Sequence, residues 1–166
     1  ALLDLAASIA AKPIVPVSSD VRTLHVGSSD LPWAEAGDGS AVQLLHVDLN
    51  QGIWISNTRV PPGYSVVKHF HTGQVYAVTQ QGRWFYAESP EEVNSPGSYL
   101  FEPAGSVHTL TTPADQEEDT IVWFAVHGAN VNISPNGNVL SIIDAAAALE
   151  IYRGYCAALG LDCSKL

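Results

Sequence analysis

The chain has 166 residues, 46% of them hydrophobic and 14% charged, which suits one domain with a core of its own and excludes a disordered chain. Seventeen acidic residues against seven Lys and Arg give a net charge of −10, a surface that repels phosphate backbones and anionic lipid. Nucleic acid and membrane are therefore not expected as partners, and short acidic runs such as Glu91-Glu92 and Glu117-Glu118-Asp119 read as solvated loops.

The opening segment, Ala1 to Ala11, is helix-like and ends before Pro13 and Pro16. It is too short to span a bilayer and carries no basic leader, so a reducing, cytoplasmic setting is the expectation. From about residue 20 to 130 the chain is a series of short β-rich runs: "AVQLLHVDL", "GIWISNTRV", "YSVVKHFH", "QVYAVTQ", "RWFYAE", "SYLFEP", "VHTLTT" and "DTIVWFAVHG". Breaks fall at Asn50-Gln51-Gly52, Pro61-Pro62-Gly63, Gln81-Gly82, Ser95-Pro96-Gly97 and Ala104-Gly105. Intervals this short leave no room for crossover helices, so the expected fold is all-β, a sandwich or barrel in a single domain covering residues 1–166.

The end of the chain is different. Asp144 caps a predicted helix through "AAAALEIYRGYCAAL", Gly160 stops it, and Leu149, Tyr152, Cys156 and Leu159 line one face to pack on the barrel. The only cysteines, Cys156 and Cys163, lie in or just after this helix, where a bridge has nothing to staple; free thiols are expected.

Chemistry concentrates in "GYSVVKHFHTGQVYAVTQQG". If residues 65–71 form a strand, Ser65, Val67, His69 and His71 share a face, and the two histidines stand roughly 7 Å apart at Cα, a spacing that lets two imidazoles converge on one ion. A lone His-x-His is weak on its own. A second cluster, "PGSYLFEPAGSVHTL", adds a strand, a tight Pro/Gly turn and a returning strand that brings His108 inward.

Together, Gly63-x5-His69-x-His71-x3-Val75-x6-Gly82 and Gly97-x5-Pro103-x-Gly105-x2-His108 resemble the paired motifs of the cupin superfamily, small β-barrels that bind a metal inside the barrel. The resemblance implies a double-stranded β-helix, or jelly roll, with His69, His71 and His108 as metal ligands through which catalysis runs. Two positions depart from the pattern: Val75 occupies the place of the usual glutamate ligand, and Thr112 stands where an asparagine is common. The stretches "HTGQVYAVTQQGRWFYAE", "NSPGSYLFEPAGSVHTL" and "VWFAVHGANVNI" further resemble cupin dioxygenases that cleave 2,4'-dihydroxyacetophenone to 4-hydroxybenzoate and formate with non-haem iron.

Three neutral imidazoles leave a divalent ion its full formal charge, which favours a substrate bound as an anion through two oxygens. Imidazole suits several metals, so Fe(II), implied by the resemblance, stands beside Zn, Ni, Mn and Cu. The expected small-molecule partners are a carbonyl substrate and O2, and the resemblance implies a homodimer or homotetramer. Strand phase nominates Val75, Ala77 and Leu110 for the pocket. Gln74 and Tyr76 flank the vacant position, with Tyr76 directed outward by alternation; Arg83 is a further candidate, and Glu102, beside Pro103, either orients a loop or accepts a proton. His25 and His46 are expected to be satisfied strand or surface residues, and His127 an exposed strand end. Other functions to weigh are a β-diketone dioxygenase, a non-oxidative metal-dependent isomerase or lyase, and a non-catalytic small-molecule-binding cupin.

Overall fold

Glycine and proline turns cut the chain into strands of two to eight residues that pair with one another in a folded-over sheet. The computed structural model describes residues 1–10 and 22–166. In chain order the described elements are α1 (Leu2–Ile9), β1 (Ala34–Glu35), β2 (Ala41–Asp48), β3 (Ile53–Val60), β4 (His69–His71), β5 (Val75–Gln81), β6 (Trp84–Tyr86) and β7 (Ser89–Asn94). They continue with β8 (Tyr99–Glu102), β9 (Val107–His108), β10 (Leu110–Thr111), β11 (Thr120–His127), β12 (Asn130–Ile133), β13 (Val139–Ile143) and α2 (Ala145–Leu159). The all-β expectation holds, as does the helix that follows the strands.

Three sheets make up the barrel wall: six strands in the order β1-β2-β3-β11-β5-β8, four in the order β13-β12-β4-β9, and three in the order β10-β6-β7. Every pairing is antiparallel. The longest ladder joins β3 to β11, from Val60 opposite Thr120 to Ile53 opposite His127. Gly82 makes the turn after β5 at φ 74°, and a Cβ there would lie 2.5 Å from Thr120 Oγ1, so only glycine closes this corner against β11.

Inside the wall, Val60, Ala77, Trp84, Leu110 and Val122 form one apolar cluster. Trp84 is fully buried, and its indole N–H donates to Thr79 Oγ1 at 2.8 Å, which satisfies its one polar atom. A second cluster of Ala34, Leu44, Tyr152 and Cys156 docks α2 against β1 and β2. Asp144 Oδ1 accepts from the Ala147 N–H at 2.8 Å to cap α2, and Gly160 ends it in the left-handed region. The predicted face is largely correct: Tyr152 and Cys156 are buried and Leu149 is half-buried, but Leu159 is 49% exposed, and Ala145 and Ala148 take the remaining buried places. Both cysteines are free.

Four strands went unmarked in the sequence: β1 is only two residues long, β7 carries Pro90 and two glutamates, β12 is interrupted by asparagines, and β13 is a short apolar run without alternation. The predicted N-terminal helix is present over Leu2–Ile9 with none of its residues buried; Ala11, Pro13 and Pro16 lie outside the described residues. No helix among the described residues is long and apolar enough to cross a membrane.

Candidate metal centre

The histidine pair sits on β4, where His69 and His71 alternate with Phe70 and both rings turn inward, at 8% and 7% exposure. The strand begins only at His69, so the phase expected for residues 65–71 breaks upstream. Val66 faces the interior while Val67 is half exposed, because the backbone at Val67 turns to put its carbonyl 2.7 Å from His69 Nδ1. That N–H donates to the carbonyl and leaves Nε2 as the lone-pair nitrogen, the orientation a ligating imidazole takes.

His108 arrives from β9, which pairs with β4 so that His108 stands opposite His69. The ring centroid of His69 lies 5.1 Å from that of His71 and 5.6 Å from that of His108, both edge-on. The third wall is Tyr86, stacked parallel on His108 at 3.9 Å and 7°. The three histidines predicted from separate motifs are thus brought to one place.

A fourth group joins them. Glu102, at the end of β8, is 3% exposed; its Oε1 lies 2.8 Å from His108 Nε2 and its Oε2 3.6 Å from His71 Nε2. On the neighbouring strand the residue directly opposite Glu102 is Val75. A carboxylate thus stands across one strand pair from position 75, and Glu102 lies beside the histidines and not only in the loop next to Pro103.

Among the described residues no three His, Cys, Asp or Glu side chains are already closed to ligand distances around one point. The fit to a metal rests on the donors' unmet needs. Glu102 Oε2, His108 Nε2 and His71 Nδ1 are buried with no hydrogen-bond partner, although His108 Nε2 touches the carboxylate. Buried polar atoms are almost always satisfied, and unmet polar atoms gathered at one point suit a bound cation. Burial pushes the imidazoles of His69 and His71 down, His71 to about 4, with the Glu102 charge opposing the shift. Both are neutral at neutral pH, the form that ligates. The donor set of imidazoles and one carboxylate suits a divalent transition ion.

The centre opens onto a cavity of about 170 Å³ lined by Trp54, Val66, Tyr86, Leu110, Phe124 and Val126, with Ser56, Thr58 and Asn130 as its polar members. Of the pocket candidates, Leu110 and Glu102 line it. Val75 and Ala77 face inward but are packed behind its surface. Gln74, Tyr76 and Arg83 do not reach it: Gln74 Nε2 donates to the Tyr76 hydroxyl on the outer face, and Arg83 pairs with Asp115 at 3.3 Å at the surface. Alternation along β5 explains the first two, and Arg83 sits in the turn before β6, beyond the inward phase. His127 ends β11 outside the cavity but is half-buried, not exposed as expected, because it packs edge-on against Tyr76 at 5.8 Å; His25 is exposed and His46 half-buried, away from the centre. Thr112 is buried, its hydroxyl donating to Pro61 O at 2.7 Å and accepting from Tyr64 N at 2.9 Å, a loop tie in place of a pocket role. On the outer side of Tyr86 and Glu102 a wider groove of about 540 Å³ also reaches His108.

The chain matches known proteins in family and in fold. Residues 21–131 fit the family model described as the ChrR cupin-like domain. A crystal structure of a protein of unknown function with a cupin-like fold from Ralstonia eutropha superposes with a TM-score of 0.80 at 31% identity, covering 87% of this chain and 91% of that one. An RmlC-like cupin from the same organism gives 0.79 at 26% identity over 86% and 92%. An acetylacetone dioxygenase from Acinetobacter johnsonii gives 0.69 at 20% identity over 87% and 99%, a likeness of fold. No curated protein matches the sequence. The chain belongs to the ChrR cupin-like domain family of the cupin superfamily.

Proposed function

We propose that this protein is a metal-dependent dioxygenase that cleaves the bond between the carbonyl carbon and the hydroxylated carbon of an aryl ketone of the 2,4'-dihydroxyacetophenone kind. The observation that carries the reading is the convergence of His69, His71, His108 and Glu102 at the wall of a small apolar cavity, with the donor atoms of Glu102 and His108 left unpartnered. A divalent metal, iron(II) by preference, held by the three imidazoles with Glu102 Oε1 beside them, supplies a Lewis acid and a route for electrons to dioxygen.

The chain's own groups do the rest. Glu102 Oε2, buried and without a partner, accepts the proton that the α-hydroxyketone releases on binding as an anion. Because Glu102 adds a negative charge, the excess positive charge expected of a three-histidine site is smaller, and proton removal takes over part of the work assigned to it. The His69 Nδ1–Val67 bond and the Tyr86 stack hold two of the rings in orientation. Val66, Leu110, Phe124 and Val126 exclude water from the reacting carbons. Overall one O2 enters, the carbon–carbon bond breaks and one oxygen atom goes to each fragment, giving 4-hydroxybenzoate and formate with no other reductant.

The test is an oxygen electrode with iron-loaded protein and 2,4'-dihydroxyacetophenone, with product chromatography. One O2 consumed per 4-hydroxybenzoate and per formate formed supports the reading. Loss of substrate without oxygen uptake would point to the isomerase or lyase class, and no turnover at all to a binding protein.

A further inference from the structure

The reversal that ends α2 brings the chain's two cysteines to one face. Gly160, in the left-handed region at φ 68°, gives its N–H to Ala157 O at 3.3 Å, and Leu161 gives its N–H to Cys156 O at 2.8 Å. This pair of bonds folds the chain back along the last turn of the helix. The tail then closes a turn of its own: Asp162 Oδ1 accepts from the Ser164 N–H at 2.9 Å, and Cys163 O accepts from the Leu166 N–H at 3.1 Å. Lys165 Nζ reaches Asp30 Oδ1 at 3.2 Å, which ties the tail to the loop before β1.

Cys163 and Leu166 point inward from this tail, against the cluster of Ala34, Leu44, Tyr152 and Cys156. Cys156 is 1% exposed and Cys163 half-buried. Burial pushes the Cys156 thiol up, and the neighbouring Cys163 thiol pushes it further. The contact therefore holds one thiol that solvent can reach and one that only its neighbour can. Sequence spacing alone leaves a bridge nothing to staple; the reversal at Gly160 supplies a tail for it. Leu161, Asp162, Ser164 and Lys165 are exposed, so the adjustment that closing a bond requires falls on the tail and not on the barrel.

We propose that Cys163 and Cys156 are an oxidisable thiol pair, which closes to a disulfide when a hydroperoxide reaches the half-buried sulfur of Cys163. The Cys163 thiolate attacks the peroxide, the O–O bond breaks, a sulfenic acid forms on Cys163 and one water leaves. The Cys156 sulfur then gives up its proton and attacks the sulfenic sulfur; the S–S bond forms and the hydroxyl leaves as a second water. In balance, two thiols lose two electrons and two protons, and one hydrogen peroxide becomes two waters. Burial keeps Cys156 protonated and slow toward the peroxide itself, which sets the order of the two steps. The bridge pins the tail to α2 and, through Lys165, to the Asp30 loop. None of these residues lines the cavity at the metal centre.

The experiment follows the sulfurs by mass. The full reduced chain, freed of metal by a chelator so that peroxide meets only the thiols, is treated with one equivalent of hydrogen peroxide, alkylated and digested with trypsin. Cleavage after Arg153 and Lys165 leaves both cysteines in one peptide. That peptide should be two hydrogens lighter and carry no alkyl group, and dithiothreitol should restore both alkylation sites. Cys156→Ala should stop at a sulfenic acid on Cys163 that dimedone traps, whereas Cys163→Ala should leave Cys156 unoxidised. The oxidised native chain should also melt at a higher temperature than the reduced one. Two alkylated thiols after peroxide, overoxidation of Cys163 with Cys156 still free, or bridges only between chains would overturn the assignment; an unchanged melting temperature would overturn the pinning of the tail.

Discussion

Val75 on β5 and Glu102 on β8 are directly opposed partners in the six-stranded sheet. The carboxylate that the cupin pattern places on one strand stands here on its neighbour, across a single pair of Cα atoms. Moving it back should be tolerated: Val75→Glu/Glu102→Val should keep iron through dialysis. Glu102→Val alone should lower retained iron, and Val75→Glu alone should lower the melting temperature of the metal-free protein by setting two buried carboxylates side by side. Elemental analysis and a thermal melt of the three variants check this.

His108→Ala removes one of three converging imidazoles and the partner of the Tyr86 stack. The fold should persist, since β9 contributes only Val107 and His108 to the sheet, while iron after dialysis falls well below one per chain and oxygen uptake falls to background. Full iron content in the dialysed variant would remove His108 from the centre.

Tyr86 should act through the ring it stacks on. Tyr86→Phe keeps the stacked face, whereas Tyr86→Ala loses a contact of about 0.5–1.5 kcal/mol and opens the wall between the cavity and the outer groove. Iron affinity should follow the order native, Phe, Ala, measured by competition with a chelator.

The metal-free protein should weaken in mild acid. His71 is held near 4 by burial against an ordinary 6.5, so below 6.5 the unfolded chain takes up the proton first. Its neutral-form stability is complete above about pH 6.5 and is lost as pH falls toward 4, up to about 3 kcal/mol, with His69 adding in the same direction. Urea unfolding at a series of pH values should show this slope, and His71→Gln should flatten it.

Asp144→Ala removes the side-chain cap of α2 and should cost about 1 kcal/mol, a fall of roughly 2–4 °C in melting temperature, without changing iron content.

How much of this was legible in the sequence follows from how local each signal is. The Asp144 cap, the Gly160 stop and the inward turn of His69, His71 and His108 are written in residues a few positions apart, and all are found in place. Glu102 was visible as a residue but not as a member of the centre, because its nearness to His108 and His71 depends on the pairing of β5 with β8 and of β4 with β9. Ser56, Thr58, Trp54 and Phe124 line the cavity through the long β3–β11 ladder, and nothing within either strand sets their inward polar groups apart from ordinary alternation. The phase error at Val66 and Val67 has a local cause: the backbone bends there to bond His69, a geometry that the strand-like run of residues does not disclose.

The central claim is that these donors from β4, β8 and β9 surround one catalytic ion. X-ray absorption of iron(II)-loaded protein tests it most directly. The account predicts imidazole scattering from three histidines together with an oxygen donor at about 2.1 Å, with one imidazole shell lost in His108→Ala. An iron spectrum without imidazole scattering, or one unchanged by that substitution, would contradict it.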